Sequence, residues 1–359
     1  MLRAAARALR RRPEAARVAA FLRAAARPDG SFPDRAGQGD LYYTVFGLQI
    51  LDALRRDQDA ERGDRDALRG GSPDPPRNNA STEPYLRSFG PGASLDFVHT
   101  ACLARCWALV AIGGAAPGLP GEPLPKRVAC PARRSLGMLS PSRETCPRKG
   151  GVGMPPSPGK PGTLGRGPDE QTRRAVLARL ETWRSADGGY NPAPGAAAGT
   201  VYASFLALGA YEDFDARVPD ETGLARSLAG LRSADGGYAN TPAAARGSTA
   251  ATAAAIVTLK ELGQRADSRA TGWLLAQHGP EGGFRAMPAA PIPDLLSTAT
   301  ALHALARAGV PLDEIRRPCR EFVEGLWADD GGFRGHWADD ATDCEYTFYG
   351  LLALGHLAE

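Results

Sequence analysis

Apolar positions along the chain fall into two alternating kinds of segment. In the first, as in Arg174 to Arg184, Val176, Leu177, Leu180 and Trp183 recur at i, i+1, i+4 and i+7 with Arg and Glu on the opposite side. Such a stripe predicts an amphipathic helix with one buried face. In the second kind, as in Gly199 to Tyr211 (GTVYASFLALGAY), apolar residues run round the whole circumference and no charge occurs. A helix of that composition has no face fit for water. Amphipathic helices are expected near 13–26, 219–232, 266–277 and 312–327, each before a turn, and charge-poor helices near 41–54, 248–259, 295–306 and 346–357, each after one. The simplest packing is two concentric layers, apolar helices inside and amphipathic helices outside.

The turns between them repeat. An acidic residue, a glycine, a small residue and an aromatic recur as Asp29-Gly30-Ser31-Phe32, Asp187-Gly188-Gly189-Tyr190, Asp235-Gly236-Gly237-Tyr238, Glu281-Gly282-Gly283-Phe284 and Asp330-Gly331-Gly332-Phe333. The last four start 48, 46 and 49 residues apart, a period that marks stacked supersecondary units. The glycine supplies the left-handed residue that ends a helix, and the aromatic packs back on it. A sixth, degenerate unit lies at Tyr85-Leu86-Arg87-Ser88, followed by Asp96-Phe97-Val98-His99-Thr100 and a helix to Val110. About six hairpins close into an all-α ring, which removes the exposed ends of an open solenoid. The chain is read as one domain over 1–359. Two stretches fall outside the pattern and are expected as disordered or irregular insertions: 56–83, polar with Pro73, Pro75 and Pro76, and 113–170, with twelve of the chain's 30 prolines.

Composition narrows the function classes. With 43 basic and 40 acidic residues the net charge is +3, too even to argue for nucleic acid or an anionic membrane. No stretch reaches the roughly 18 apolar residues that cross a bilayer. The Ala- and Arg-rich start resembles an organellar transit peptide, but Val18, Ala19, Phe21 and Leu22 lead straight into the first turn as a structural helix does. The expected location is the cytoplasm. The six cysteines contain no Cys-x-x-Cys pair. Cys102 and Cys106, four apart on one helical face, read either as a metal pair or, in the preferred reading, as small buried apolar residues.

Asp40, Asp96, Asp294 and Asp343 each stand just before a charge-poor helix, with Thr200 and Ser248 in comparable places. These residue types accept hydrogen bonds from the free N–H groups of a helix start. If the inner helices run parallel, all six starts gather at one mouth of the lumen, and their partial positive charges attract an anion while the four carboxylates favour a cation. Tyr42, Tyr43, Tyr202, Tyr346 and Phe348 read as packing residues or lumen lining. His303 and His356, inside apolar helices, read as satisfied structural histidines. His336 and Trp337 belong to a loop, and Pro318 kinks the last outer helix or starts it. The slender runs Ala250 to Val257 and Ala299 to Ala304 either leave the lumen space for an apolar chain or allow close packing outward.

The acidic-Gly-Gly-aromatic turn at this period resembles the (α/α)6 toroid of protein prenyltransferase β subunits, a repeat shared with squalene and terpene cyclases. The resemblance covers about 30–54, 85–110 and 171–357. The segments from Asp40 to Leu48 and from Asp343 to Leu351 are similar to the geranylgeranyltransferase side. The resemblance implies binding of an isoprenoid diphosphate, transfer of its geranylgeranyl group to an acceptor protein, and an α-type partner subunit. It also implies one zinc, held by an Asp-x-Cys pair and a histidine. The pair falls on Asp294-Leu295-Leu296 and the histidine on Tyr346, so one ligand of three is kept. Cys344, beside Asp343, is the candidate that joins Asp294 as a rearranged ligand. Asp294, Asp343 and Tyr346 are the expected catalytic residues. Arg246, Tyr43, Tyr202, Asp40, Asp96 and His99 are the expected substrate-binding residues, with Arg246 toward the diphosphate. The cyclase acid motif falls on Asp294-Leu295-Leu296-Ser297, which lacks its neighbouring carboxylates. Three readings follow: prenyl transfer, a non-catalytic ring binding a protein or lipid, and terpene cyclization.

Overall fold

A computed structural model describes residues 1–10, 12–66, 79–113, 167–265 and 267–358. All lie in one compact unit, Met1–Gly114 with Gly167–Glu359. After a short helix α1 (Leu2–Leu9), six helical hairpins follow. Their outer helices are α2 (Glu14–Ala25), α4 (Asn79–Arg87), α6 (Glu170–Glu181), α8 (Glu221–Gly230), α10 (Ser268–Leu275) and α12 (Asp313–Glu324). Their inner helices are α3 (Leu41–Asp66), α5 (Phe97–Gly113), α7 (Val201–Asp213), α9 (Thr249–Glu261), α11 (Leu295–Ala308) and α13 (Cys344–Leu357). Each inner helix packs on the next, and α13 packs on α3, so the inner layer closes into the expected (α/α)6 ring. Among the described residues no helix is long and apolar enough to cross a membrane.

The repeated turn does two jobs. Its aromatic is buried under the inner helix that follows, Phe32, Tyr190, Tyr238, Phe284 and Phe333 all being 4% exposed or less. Each backbone N–H of these aromatics donates to a hydroxyl one turn into that helix: Thr44, Ser204, Thr252, Thr298 or Thr347, at 2.9–3.3 Å. The glycine sets the spacing between hairpins. Gly331 has φ +95, and a Cβ there would stand 2.4 Å from the carbonyl oxygen of Arg17 in α2. The last turn thus packs directly on the first outer helix, closing the outer layer as well.

Helix α1 precedes the first helix expected from the sequence, 13–26, and has no counterpart in the repeat. It packs on α13 and α3, burying Ala4, Ala5, Ala8 and Leu9. Contact is backbone to backbone: a Cβ on Gly355 would fall 1.7 Å from the Ala4 carbonyl oxygen. Arg7 Nε donates to the Gly355 carbonyl at 3.1 Å. The stretch 56–83 expected as irregular is helical at both ends, because α3 continues to Asp66 and α4 begins at Asn79. A polar composition removes the apolar stripe from the sequence but does not prevent helix. Residues 67–78, and 114–166 of the other expected insertion, lie outside the described residues. Pro318 sits within α12 rather than at its start.

Candidate functional site

The six inner helices all present a capping side chain at one rim. Asp40, Asp96, Thr200, Ser248, Asp294 and Asp343 accept from the N–H of Tyr43, His99, Ala203, Ala251, Ser297 and Tyr346 at 2.7–3.3 Å. An N-cap contributes about 1 kcal/mol, so each acid has a structural task whatever else it does. Beyond that task the caps divide into groups.

Between α3 and α5, His99 bridges two caps. Its Nδ1 lies 2.9 Å from Asp96 Oδ1 and its Nε2 lies 2.9 Å from Asp40 Oδ2. Hydrogen bonding to Asp40, reinforced by Asp96, raises the imidazole pKa to about 9 against the opposing effect of burial. Burial likewise works against ionisation of both acids, yet the bonds to His99 hold them below the usual carboxylate range. The unit is a charged triad at neutral pH.

Between α13 and α3 the cation is Arg35, from the loop before α3. Its guanidinium donates to Asp343 Oδ2 and Asp339 Oδ2, both at 2.9 Å, and lies 5.3 Å from the Tyr346 ring centre. One step further in, Tyr42 donates to Glu345 Oε1 at 2.5 Å. Burial pushes the Glu345 carboxyl above its ordinary value even with that bond. Asp294 is also raised by burial, against hydrogen bonds from the Ser297 N–H and hydroxyl. Charge on Asp294 and on Asp343 is felt at Tyr346, whose own pKa burial raises. The structure therefore brings Asp294, Asp343 and Tyr346 to one sector of the mouth.

Inside the ring two cavities of about 110 and 210 Å³ share Met1, Tyr42, Tyr202, Phe205 and Tyr349 as walls. The smaller adds Phe46, Phe348 and Cys102 with polar Gln49, Arg105 and Asp213. The larger adds Ala250, Ala253, Ala254, Val257, Leu296 and Thr300, with His303 at its wall. The slender run of α9 thus faces inward and leaves space. The histidines of α11 and α13 pair, His303 Nδ1 to His356 Nε2 at 2.9 Å. Burial lowers their pKa values to about 2 and about 4, so both are neutral, as satisfied structural histidines are. At the same depth Arg105 Nε donates to Asp213 Oδ2 at 2.5 Å.

Tyr202 lines both cavities, and Tyr43 lies beside Tyr42 at the mouth with a pKa raised by burial to about 12. Arg246 is exposed in the loop before α9 and is not among the residues lining either cavity. Zinc does not fit the residues present. Among the described residues no three His, Cys, Asp or Glu side chains gather closely enough to hold an ion. Both oxygens of Asp294 are taken up by Ser297. Cys344 is buried, which pushes its thiol pKa up, whereas a metal ligand must be a thiolate. Cys102 and Cys106 are likewise buried thiols raised by burial. Two residues of the site went unnoticed in the sequence. Arg35 lies in a loop with no motif. Glu345 was passed over beside Asp343, although a carboxylate in the first turn of an otherwise apolar helix was a visible signal.

The sequence matches the prenyltransferase alpha-alpha toroid domain over residues 162–266 and 250–358. No curated protein matches it. Among solved structures, the type II terpene cyclase MstE from Scytonema in its apo form is similar over 96% of each chain, at 14% identity and a TM-score of 0.50. A single-residue variant of MstE in complex with geranylgeranyl dihydroxybenzoate as substrate is similar over 96% of this chain and 95% of that one, at 14% identity and a TM-score of 0.52. Identity at that level speaks to the fold alone. The domain match covers more than half of the chain and agrees with the closed double ring: this protein belongs to the prenyltransferase alpha-alpha toroid family.

Proposed function

We propose that the lumen binds an isoprenoid chain and that the chemistry done there is acid-initiated cyclization. The observation that carries this reading is the wall of the lumen, where Tyr42, Tyr202, Phe205, Phe348 and Tyr349 surround space edged by small side chains. Aromatic faces attract a cation by about 0.5–2 kcal/mol each when water is excluded. They suit a carbocation better than they suit a diphosphate. The acid is Glu345, whose carboxyl burial pushes above its ordinary pKa and which stands one hydrogen bond from the lumen, through Tyr42. In this step the carboxyl proton adds to one carbon of a terminal double bond and leaves the cation on its neighbour. Attack by the next double bond closes a ring. Loss of a proton from carbon ends the sequence, and neutral His303 in the wall can accept it. Solvent then takes the proton from His303 and returns one to Glu345, so the enzyme is restored and product and substrate are isomers.

Incubation of the purified chain with a geranylgeranyl-bearing substrate and no acceptor is the test. The expected result is a cyclic isomer of unchanged mass, with its rate lowered at least ~100-fold in Glu345→Gln. Undiminished activity of that variant contradicts the assignment of the acid, and absence of any isomer contradicts cyclization. The second reading is prenyl transfer from a diphosphate, close to the geranylgeranyltransferase side and with an α-type partner. It is favoured by the six helix N-termini at the mouth and by Arg246 near the start of α9. Its support is weakened by the rim cations, because Arg35 and His99 are already paired with carboxylates. Alkylation of a protein thiol with release of diphosphate would favour it.

A further inference from the structure

The polar groups of the lumen are not spread evenly. Gln49 lies eight residues into α3, about 12 Å below the rim at 1.5 Å per residue. Its side chain is 3% exposed and lines the smaller cavity. Among the described residues its amide makes no hydrogen bond within the protein and is not one of the fully enclosed unpaired atoms, so it keeps accessible surface toward the cavity. An amide that faces cavity space without a protein partner is free to hydrogen-bond whatever occupies that space. Arg105 and Asp213 stand in the same wall but are bonded to each other, and burial lowers the amino group of Met1, also in the wall, to about 6, so this end of the lumen offers dipoles and little net charge near pH 7. The other cavity shares the Met1 and tyrosine walls and adds Ala250, Ala253, Ala254, Val257 and Leu296, with Thr300 and neutral His303 as its own polar groups.

We propose that the cavity beside Gln49 is a subsite for a neutral oxygen-bearing group of the ligand, a hydroxyl above all, while the isoprenoid chain lies along the alanine-lined half. This rests on the isoprenoid reading of the lumen and adds the ligand's polarity and direction. A hydroxyl can donate to the amide oxygen and accept from the amide N–H, completing both halves of Gln49. An anion would meet the paired Asp213 carboxylate and gain little. The cavity, at about 110 Å³, has room for a few heavy atoms given roughly 30 Å³ of liquid volume per water. The ligand would then enter with its oxygen leading toward the depth of the ring and its tail toward the mouth, where Glu345 is.

The test compares equilibrium binding of farnesol with that of the hydrocarbon farnesene, on the full chain and on two variants, Gln49→Leu and Gln49→Met. Wild type is expected to prefer the alcohol at least tenfold. Both variants are expected to bind the hydrocarbon at least as tightly as wild type and to lose the preference to within about twofold. Since each variant replaces an amide that bonds nothing in the protein by an apolar side chain of similar length, the unliganded Tm should stay level or rise by about 2 °C, which also shows that the variants fold. Preference for the alcohol persisting in both variants overturns the subsite. Binding of the hydrocarbon by wild type with no preference for the alcohol overturns the subsite alone. Binding of neither probe overturns the isoprenoid reading and the subsite with it.

Discussion

The mouth and the interior of the ring use histidine in opposite ways. At the mouth, His99 lies between Asp40 and Asp96, and its pKa rises to about 9. In the interior, His303 and His356 bond each other with no carboxylate beside them, and burial, reinforced by the nearby N-terminal amino group, lowers them to about 2 and about 4. The residue type is the same and the partner decides. Where the fold supplies carboxylates it holds a fixed charge, and where it supplies apolar helices it holds a neutral base. The mouth is therefore a polar collar of paired ions, and the interior is a place where an uncompensated charge is expensive. That contrast suits the cyclization proposed above, with paired ions at the entrance and aromatic faces within.

The sharpest way to break the contrast is to place a fixed charge in the interior. His303→Lys buries an ammonium with no carboxylate partner, and an unpaired buried charge costs about 3–5 kcal/mol. Thermal unfolding should show the loss as a Tm lower by roughly 10 °C. A fall of only a degree or two would mean that the interior is wet.

Titration of stability sharpens it next. The folded pKa of the interior pair lies below the unfolded value of 6.5, so their contribution is present above pH 6.5 and is lost as pH falls toward 4 and below. That limb amounts to a few kcal/mol, at about 1.4 kcal/mol per pKa unit. The folded pKa of His99 lies above 6.5, so its contribution is present below pH 6.5 and is lost as pH rises through about 9. His99 is about a third exposed, and after allowance for solvent screening the alkaline limb is worth about 1 kcal/mol. Denaturant melts from pH 4 to 10 should peak between the limbs. His356→Phe should flatten the acid limb alone, and His99→Gln the alkaline limb alone. The smallest effect belongs to Arg246→Ala, an exposed site whose stability change should stay within about 0.5 kcal/mol.

Much of the ring was legible because its determinants are local. The turn motif, the charge-poor helices and the caps Asp40, Asp96, Asp294 and Asp343 are short-range signals, and the structure puts each where the spacing implies. What the sequence hid are contacts between repeats far apart in the chain. Tyr42 finds Glu345 across 303 residues, and Arg35 finds Asp343 across 308. No periodicity encodes which side chains of two helices meet across a closed ring. Arg246 had a motif position in its favour, yet it lies in an exposed loop away from the cavity walls. Gln49 offered a weak sign, an amide within an apolar helix, whose meaning appears only when the neighbouring helices leave it facing space.

The most direct test of the central claim is photolabelling of the intact chain with a diazirine-bearing geranylgeranyl probe, followed by peptide mapping. An isoprenoid-binding lumen predicts adducts on the peptides carrying Tyr42, Tyr202 and Tyr349, reduced by an excess of unlabelled geranylgeraniol. Adducts confined to the outer helices, or labelling that competitor does not reduce, would contradict it.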